Sequence, residues 1–458
     1  MNSLMLTLAM TAGQGPGGIP SGPGYYPVLP TAAPVGRPVG RPVVLPDVIQ
    51  LPVGAQQPGM PPMQPMPTQP GTNPATPPAA NGNGNGNGCD PCAEEEKEEA
   101  PEPWALMRVL KGTGLGERLE KQRIEISGWT EGNYTASTAN RSNFPVTFND
   151  RGDFWQMNQN FLRIDRSIDT SKKEFQLGGR TEWILPGTDA RFTPARGLFD
   201  DQTGDYRIDL FQAYIDAYMP NVGPQGTTLR IGKFSTHCEY ELVQGAETPF
   251  LSRSYLFLYN PFTHTGAWAI TPLNDTWTMS NGIVLGNDNF IGAPARPTYL
   301  GQLKWAPKEG KSTVLFNTSV TNPTFDAGEN FAFYNVYNIQ VTRKFGEKLS
   351  GAVDIAASHM DGIPDVGTAW WYGAAAYAFY QFSDKWNLAF RQELFEDDKG
   401  VRTGFAGLYS GTTLGVGFTP VRSLMLRPSV RYDHNFDSNP WEGNRNLFTA
   451  CMDVIVRW

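Results

Sequence analysis

The sequence predicts an all-β protein: a transmembrane antiparallel β-barrel of about 16 strands, preceded by a disordered N-terminal segment rich in proline and glycine. Two observations predict this fold. From residue 123 to the C-terminus, apolar and polar residues alternate with a period of two, which is typical of strands with one apolar and one polar face. The connections between these strands also alternate between short and long, as periplasmic turns and extracellular loops do in outer-membrane barrels.

The first part of the chain has a different composition from the rest. Residues 1–12 contain a short apolar run before Thr11-Ala12-Gly13 and are a candidate export signal, although an atypical one because no Lys or Arg precedes the run. Residues 13–103 are mainly Pro, Gly, Asn, Ala and Gln and end in an acidic run. Such a composition buries too little apolar surface to offset the entropy lost on ordering, so a disordered linker is expected. Residues 104–122 are expected to form a connector or a short helix.

The linker is long enough to contact structures far from the barrel. At ~3.1 Å per residue for a polyproline-like chain, residues 13–103 reach on the order of 250 Å. The cell wall is therefore a candidate partner of the N-terminal segment.

Period-two alternation recurs in sixteen segments. In one of them, Leu426 and Val430 share a face while Arg427 and Arg431 share the other. An even number of strands agrees with a bacterial barrel. The predicted strands are 123–135, 155–168, 172–186, 205–219, 226–236, 262–272, 274–286, 298–307, 311–321, 331–345, 348–358, 369–383, 385–396, 410–420, 422–436 and 446–457.

Short and long connections alternate along this series. The short ones contain residues 169–171, 220–225, 273, 308–310, 346–347, 384 and 421. With both termini in the periplasm, the first connection must be extracellular, and it is long. The predicted long connections are 136–154, 187–204, 237–261, 287–297, 322–330, 359–368, 397–409 and 437–445.

The polar faces of the predicted strands carry charged residues at mid-strand. At a lipid-facing position near the bilayer midplane, an Arg or Lys would cost about 2–4 kcal/mol, so these side chains are predicted to point inward. Both signs of charge occur, which predicts a water-filled channel for small hydrophilic solutes without strong selectivity. The alternative is that these charges pair with one another as part of the wall. The pore-lining candidates are Arg163, Asp165, Asp216, Arg391, Glu393, Arg427, Arg431, Asp433, Asp453 and Arg457.

The third long connection, 237–261, is the longest, and it is unusually apolar around residues 250–259. Long loops with apolar anchors are usually held against another part of the structure, so this loop is predicted to fold inward and narrow the pore. The alternative is that 254–260 is a strand that extends the wall. The constriction candidates, expected to face Arg427 and Arg431, are Glu239, Glu241, Glu247 and Arg253.

Several function classes are disfavoured. No stretch approaches the ~20 apolar residues of a spanning helix, and a net charge of −8 argues against a nucleic-acid partner. The four His show no metal-ligand spacing, and neither a nucleophile elbow nor a phosphate loop occurs, so no catalytic residue, metal or cofactor is predicted. The pair Cys89 and Cys92 lacks a second pair for zinc and the strand–helix context of a redox motif, which leaves a local disulfide or two free thiols.

Two short motifs carry a resemblance to a known family: Gly232-Lys233-Phe234 and Pro261-Phe262-Thr263-His264-Thr265-Gly266. Over nearly all of residues 123–458 the chain resembles the OmpL-like β-barrel porin family. This resemblance implies an outer-membrane barrel in a lipid bilayer, with pore activity and no catalytic residues. One departure is Cys238-Glu239-Tyr240-Glu241, where Gly-Tyr-Glu is the more typical sequence.

Two further expectations concern the ends of the barrel. Outward residues of the last strand, from Phe448 to the terminal Trp458, resemble the pattern that the barrel assembly machinery recognises, which makes that machinery an expected partner. The rival function is a plugged barrel with a structural or surface-interaction role. The segment Trp104 to Leu119 and the third long connection are the candidate plugs, and the oligomeric state stays open.

Overall fold

A computed structural model describes residues 103–326 and 331–458. Within these residues, sixteen strands form a closed antiparallel barrel in which each strand pairs with its sequence neighbours and β1 pairs with β16. The predicted fold class is therefore confirmed. The predicted signal segment and almost all of the predicted linker, residues 1–102, lie outside the described residues.

The strands match the sixteen predicted segments one for one. They are β1 Ile124–Ser137, β2 Phe154–Arg166, β3 Gln176–Gly187, β4 Arg207–Met219, β5 Thr227–Ser235, β6 Thr263–Pro272, β7 Trp277–Val284, β8 Thr298–Trp305, β9 Ser312–Val320, β10 Asn335–Lys344, β11 Leu349–Ile363, β12 Gly367–Ser383, β13 Trp386–Asp397, β14 Gly407–Val421, β15 Leu424–Asn435 and β16 Asn446–Arg457.

The described helices are short. Two precede the barrel, α1 (Ala105–Leu110) and α2 (Gly114–Lys121), and a third, α3 (Tyr255–Tyr259), lies in the connection between β5 and β6. Single 3-10 turns occur at Asp189–Arg191 and Gly245–Glu247. No helix of the described residues is long and apolar enough to span a membrane.

Two predicted connection lengths are wrong. The turn between β2 and β3 spans residues 167–175, because the Asp169 side chain accepts hydrogen bonds from Ser171 and delays the start of β3 to Gln176. The connection between β11 and β12, predicted to be long, is reduced to residues 364–366. Asp365 (φ 59°) and Gly367 (φ 79°) adopt the left-handed conformation of a tight turn, so both strands continue to it.

Pro428 lies in the middle of β15 and leaves the strand unbroken. It pairs with Met452 of β16, and its effect falls on the other side of the strand. There the pairing with β14 runs from Gly415–Ser429 to Phe418–Leu426 without paired residues between them. Because proline has no N–H, the ladder is interrupted locally instead of ending.

The outer and inner faces of the barrel differ as the alternation predicts. Large apolar side chains are exposed on the outer face, for example Val353 and Ile355, while their sequence neighbours Ala352, Asp354 and Ala356 are buried. A soluble protein would not expose so much apolar surface. The apolar core lies within the barrel, where residues 236–262, named L3 here, pack against the inner wall.

Candidate functional site: the lumen and L3

L3 begins and ends at buried polar contacts on the wall. Just before L3, the Lys233 ammonium donates a hydrogen bond to Leu210 O at 2.7 Å and lies 3.5 Å from the Asp209 carboxylate. Just after it, the Asp288 carboxylate accepts hydrogen bonds from the backbone N–H groups of Phe262 and Thr263, both at 2.7 Å. The Gly-Lys-Phe and Pro-Phe-Thr-His-Thr-Gly motifs therefore fix the two ends of the loop.

His237 holds the first part of L3 against strands β8 and β9 of the wall. Its Nε2 lies 3.1 Å from both Gly301 O and Thr318 O, and its ring packs 4.7 Å from the Trp268 ring. Burial lowers the pKa of His237 to about 4, so the ring is neutral at pH 7. A neutral His can donate one hydrogen bond to this pair of carbonyls.

Glu239 and Glu241 are both fully buried and have different partners. Glu239 accepts a hydrogen bond from Asn260, and burial together with the Asp354 carboxylate raises the pKa of Glu239 well above its usual range. Glu241 lies 2.6 Å from Arg391 Nη1 and accepts a hydrogen bond from Tyr377. Glu241 thus joins L3 to β12 and β13.

Arg253 holds L3 in its own folded shape. Its guanidinium is fully buried and donates to four backbone carbonyls, at 2.9 Å (Leu242), 2.6 Å (Phe250), 2.5 Å (Leu251) and 3.3 Å (Val243). No carboxylate of the described residues lies within 4.0 Å of it. The side chain therefore acts as an internal crosslink between the two halves of the loop.

The turn at residues 245–247 meets the wall through arginines. Arg427 Nη1 donates to Gly245 O at 2.9 Å, and the same guanidinium forms ion pairs with Glu131 and Asp453. Arg457 donates to Ala246 O. A Cβ at Gly245 would overlap Glu131 Oε2, so a larger residue here would displace the carboxylate that pairs with Arg427.

Glu247 points away from this contact and pairs with Arg163 of β2 at 2.5 Å. Burial alone would raise the pKa of Glu247, but the charge of Arg163 outweighs it and holds the pKa below its usual value. The carboxylate is therefore ionised at neutral pH.

The short helix α3 lies inside the barrel, so the alternative of a wall strand over 254–260 is wrong. Ser254 caps it by accepting a hydrogen bond from Phe257 N–H at 3.2 Å. The Tyr255 hydroxyl donates to Asp433 at 3.0 Å, and its N–H donates to Glu393 at 2.6 Å. All five helical residues are buried; the Tyr255 and Tyr259 rings pack against Phe395 of β13, and the Tyr255 ring also packs against Tyr409 of β14.

Arg402, from the loop between β13 and β14, fixes the end of α3. Its guanidinium donates to Tyr259 O at 2.9 Å and lies over the rings of Phe331, Tyr334 and Trp371 at 4.7, 5.2 and 5.0 Å. Cation–π contacts of this kind stabilise a buried guanidinium that has no direct carboxylate partner.

The ten pore-lining candidates fall into two groups. Arg163, Asp165 and Asp216 keep side-chain exposures of 15%, 25% and 14%, and Arg457 is half-buried. The other six are buried, because L3 or neighbouring ion pairs cover them: Arg391, Glu393, Arg427, Arg431, Asp433 and Asp453. Among the constriction candidates, Glu247 keeps 24% exposure, whereas Glu239, Glu241 and Arg253 are buried.

Two arginines of the same wall, Arg180 and Arg230, are not among the residues predicted to line the pore. Arg180 pairs with Asp165 at 2.7 Å, and Arg230 pairs with Asp216 at 2.8 Å. Both arginines lie at alternating positions of predicted strands, so the same period-two pattern could have found them. In residues 103–326 and 331–458, no group of His, Cys, Asp and Glu could hold a metal ion.

The closed barrel, its apolar outer face and the charged side chains of its inner wall define an integral β-barrel protein of the outer membrane, in the porin class. The family model described as Putative beta-barrel porin-2, OmpL-like, matches residues 123–458. The chain belongs to this family, as the two motifs indicate. A comparison with curated protein sequences found no match.

The chain is similar to several solved structures at low sequence identity. OprB of Pseudomonas putida (high-pH structure) has a TM-score of 0.50 and 11% identity, with coverage of 75% of this chain and 96% of that chain. The outer membrane channel DcaP of Acinetobacter baumannii has a TM-score of 0.48 and 11% identity, covering 73% and 97%. The in-vitro folded trimer form of OmpT from Vibrio cholerae has a TM-score of 0.46 and 12% identity, with coverage of 73% of this chain and 99% of that chain.

Proposed function

We propose that the barrel forms a water-filled channel for the passive diffusion of small hydrophilic solutes or ions, and that L3 narrows it. The observation that carries this proposal is a row of partly exposed ion pairs on the inner faces of β2 to β5. The five side chains of this row keep between 14% and 25% exposure, so water reaches them inside the barrel. They are Arg163, Asp165, Arg180, Asp216 and Arg230.

L3 touches this side of the wall at residues 243–247, where Val243 O accepts a hydrogen bond from Gln159 of β2 and Gln244 donates one to Glu182 of β3. Glu241 and α3 bind β12 and β13, and residues 245–248 bind the arginines of β15 and β16. Within the described residues, Arg163 is the member of the exposed row that pairs with a carboxylate of L3, that of Glu247. The proposed water path therefore runs along the exposed row, with Glu247 at its edge.

The channel proposal is tested by reconstituting the full chain into planar bilayers and recording single-channel currents. Discrete conductance steps are expected, and deletion of residues 244–252 should enlarge them, since it removes the turn next to the exposed row. Glu247→Lys should shift the preference toward anions, because it replaces a negative charge at the path with a positive one. Glu347→Lys, the same change in an exposed turn, is the matched control.

The second candidate function is a plugged barrel that serves as a structural or surface-interaction protein. One observation favours it: Trp104 lies at the periplasmic end of the lumen, with its ring 4.2 Å from the Arg422 guanidinium and 5.7 Å from that of Arg457. If the wild-type protein shows no steps while the 244–252 deletion conducts, the barrel is plugged and the channel proposal fails.

A further inference from the structure

The periplasmic end of the lumen is rich in arginine. Arg123 and Arg166 lie where β1 begins and β2 ends, Arg422 lies in the turn between β14 and β15, and Arg457 ends β16. These four residues are named the basic mouth here. Arg123, Arg166 and Arg457 have no carboxylate of the described residues within 4.0 Å.

Arg457 is the best-defined part of the basic mouth. Its strongest charged neighbours are three arginines, Arg163, Arg422 and Arg427, and one carboxylate, Glu247. That carboxylate already pairs with Arg163 at 2.5 Å. Two buried guanidinium nitrogens, Arg457 Nε and Arg123 Nη1, have no hydrogen-bond partner among the described residues. Unpaired buried donors of positive charge favour an anionic partner.

Trp104 lies at the basic mouth, so the residues that directly precede it in the sequence start from there. Its ring lies against Arg422 and Arg457, at the distances given above, and α1 begins directly after it. The residues before it are Glu94-Glu95-Glu96-Lys97-Glu98-Glu99-Ala100-Pro101-Glu102-Pro103, with six glutamates and one lysine. Residues 94–102 are named the acidic run.

The short link to Trp104 keeps the acidic run near the basic mouth, and the two carry opposite charges. Glu102 is two positions from Trp104 and Glu94 is ten, so at ~3.3–3.6 Å per residue the whole acidic run stays within about 35 Å of the ring. A short tether keeps the local concentration of such a segment near the millimolar range or above. Glutamate and arginine form charge-assisted, bidentate hydrogen bonds.

We propose that the acidic run of this chain docks on its own basic mouth, with Trp104 as the fixed point of the contact. The glutamates pair with the guanidinium groups of Arg422, Arg457 and Arg123, and they supply acceptors for Arg457 Nε and Arg123 Nη1. The contact is electrostatic and lies at the water interface, so it weakens as salt rises.

Cleavage by glutamyl endopeptidase tests this with the full-length protein in detergent micelles. Docked glutamates are protected, so cleavage of the acidic run should be about tenfold slower at about 0.01 M salt than at about 1 M salt, where the Debye length falls from about 30 to 3 Å. A synthetic peptide of residues 92–103 in the same tube corrects for the effect of salt on the protease.

Two variants test the arginines. Arg422→Gln combined with Arg457→Gln should raise the low-salt rate to the high-salt rate, while Lys385→Gln, in another exposed turn, should leave it unchanged. If the double variant loses its heat-modifiable barrel, Arg422→Glu replaces it, since Arg422 lies in an exposed turn. Equal wild-type rates at both salt concentrations, or protection that survives the loss of the arginines, would overturn the proposal.

Discussion

Replacing Arg253 by methionine should release L3 while leaving the barrel intact. The side chain donates to four carbonyls that belong to two separate stretches of L3, residues 242–243 and 250–251. Methionine has a similar length and fills much of the space between the nearby Phe148 and Phe257 rings, but it donates no hydrogen bond. The variant therefore removes the crosslink and takes this donor away from the carbonyls of Leu242, Phe250 and Leu251, while Val243 O keeps its hydrogen bond from Gln159.

The magnitude follows from the number of bonds. Hydrogen bonds to a charged group contribute about 1.5–3 kcal/mol each, so the gross loss is several kcal/mol. Removing a buried guanidinium that has no carboxylate partner recovers part of its desolvation cost. A net destabilisation of L3 by about 3–5 kcal/mol is expected, which raises the population of displaced loop by roughly 10²- to 4 × 10³-fold.

Single-channel recording with the variant and its controls measures this. Arg253→Met should give larger and noisier steps than the wild-type protein, and Arg253→Lys an intermediate result, because an ammonium cannot reach all four carbonyls. Arg445→Met, in an exposed loop, is the matched control. If Arg253→Met shows wild-type steps, and its L3 resists protease as well as that of the wild type, the crosslink does not hold the loop.

Three further predictions concern other contacts. Deleting residues 456–458 should abolish the heat-modifiable barrel on gels, because the backbone bonds between Trp458 and Gly128 that close β16 on β1 are lost; a normal shift would contradict this. Arg402→Met should raise channel noise by loosening α3, and unchanged noise would exclude Arg402 as its anchor. Because the pKa of His237 is held at about 4 against 6.5 in the unfolded chain, stability should fall as pH drops through this window, by at most roughly 3 kcal/mol. His237→Gln should flatten that dependence of the unfolding midpoint, whereas the control His434→Gln should not.

The barrel could be predicted from the sequence because each strand reports its own environment. Ile355 must face lipid and Asp354 must face inward whatever the rest of the chain does, so a local pattern is sufficient. The errors occurred where the pattern stops. Residues 172–175 were predicted to begin a strand but belong to the turn before β3. Residues 359–363 were predicted to lie in a loop but form the end of β11.

The lumen could be predicted only in part. The pattern placed Arg427 and Arg391 on the inner face, and their contacts with residues of L3 agree with that placement. It did not reveal that they are buried, because burial comes from partners far away in the sequence: Glu131 lies 296 residues from Arg427. The same distance hid the pairing of Arg391 with Glu241, 150 residues apart.

One physical requirement accounts for most of the buried arginines of the lumen. L3 crosses the interior with little regular structure, so its backbone carbonyls need donors that no strand or helix supplies. Guanidinium groups of the wall and of a neighbouring loop provide them, each to one or more carbonyls of L3. Because a guanidinium donates five N–H groups in a fixed plane, it can bind a carbonyl and a carboxylate together, which a lysine cannot do with the same geometry. The carboxylates around them, such as Asp433 and Asp453, neutralise the charge of these guanidinium groups and orient their N–H groups. The buried carboxylates are therefore needed because L3 needs the arginines. The pairs are Arg427 with Gly245 O, Arg457 with Ala246 O, Arg391 with Ser252 O, Arg431 with Arg253 O and Arg402 with Tyr259 O.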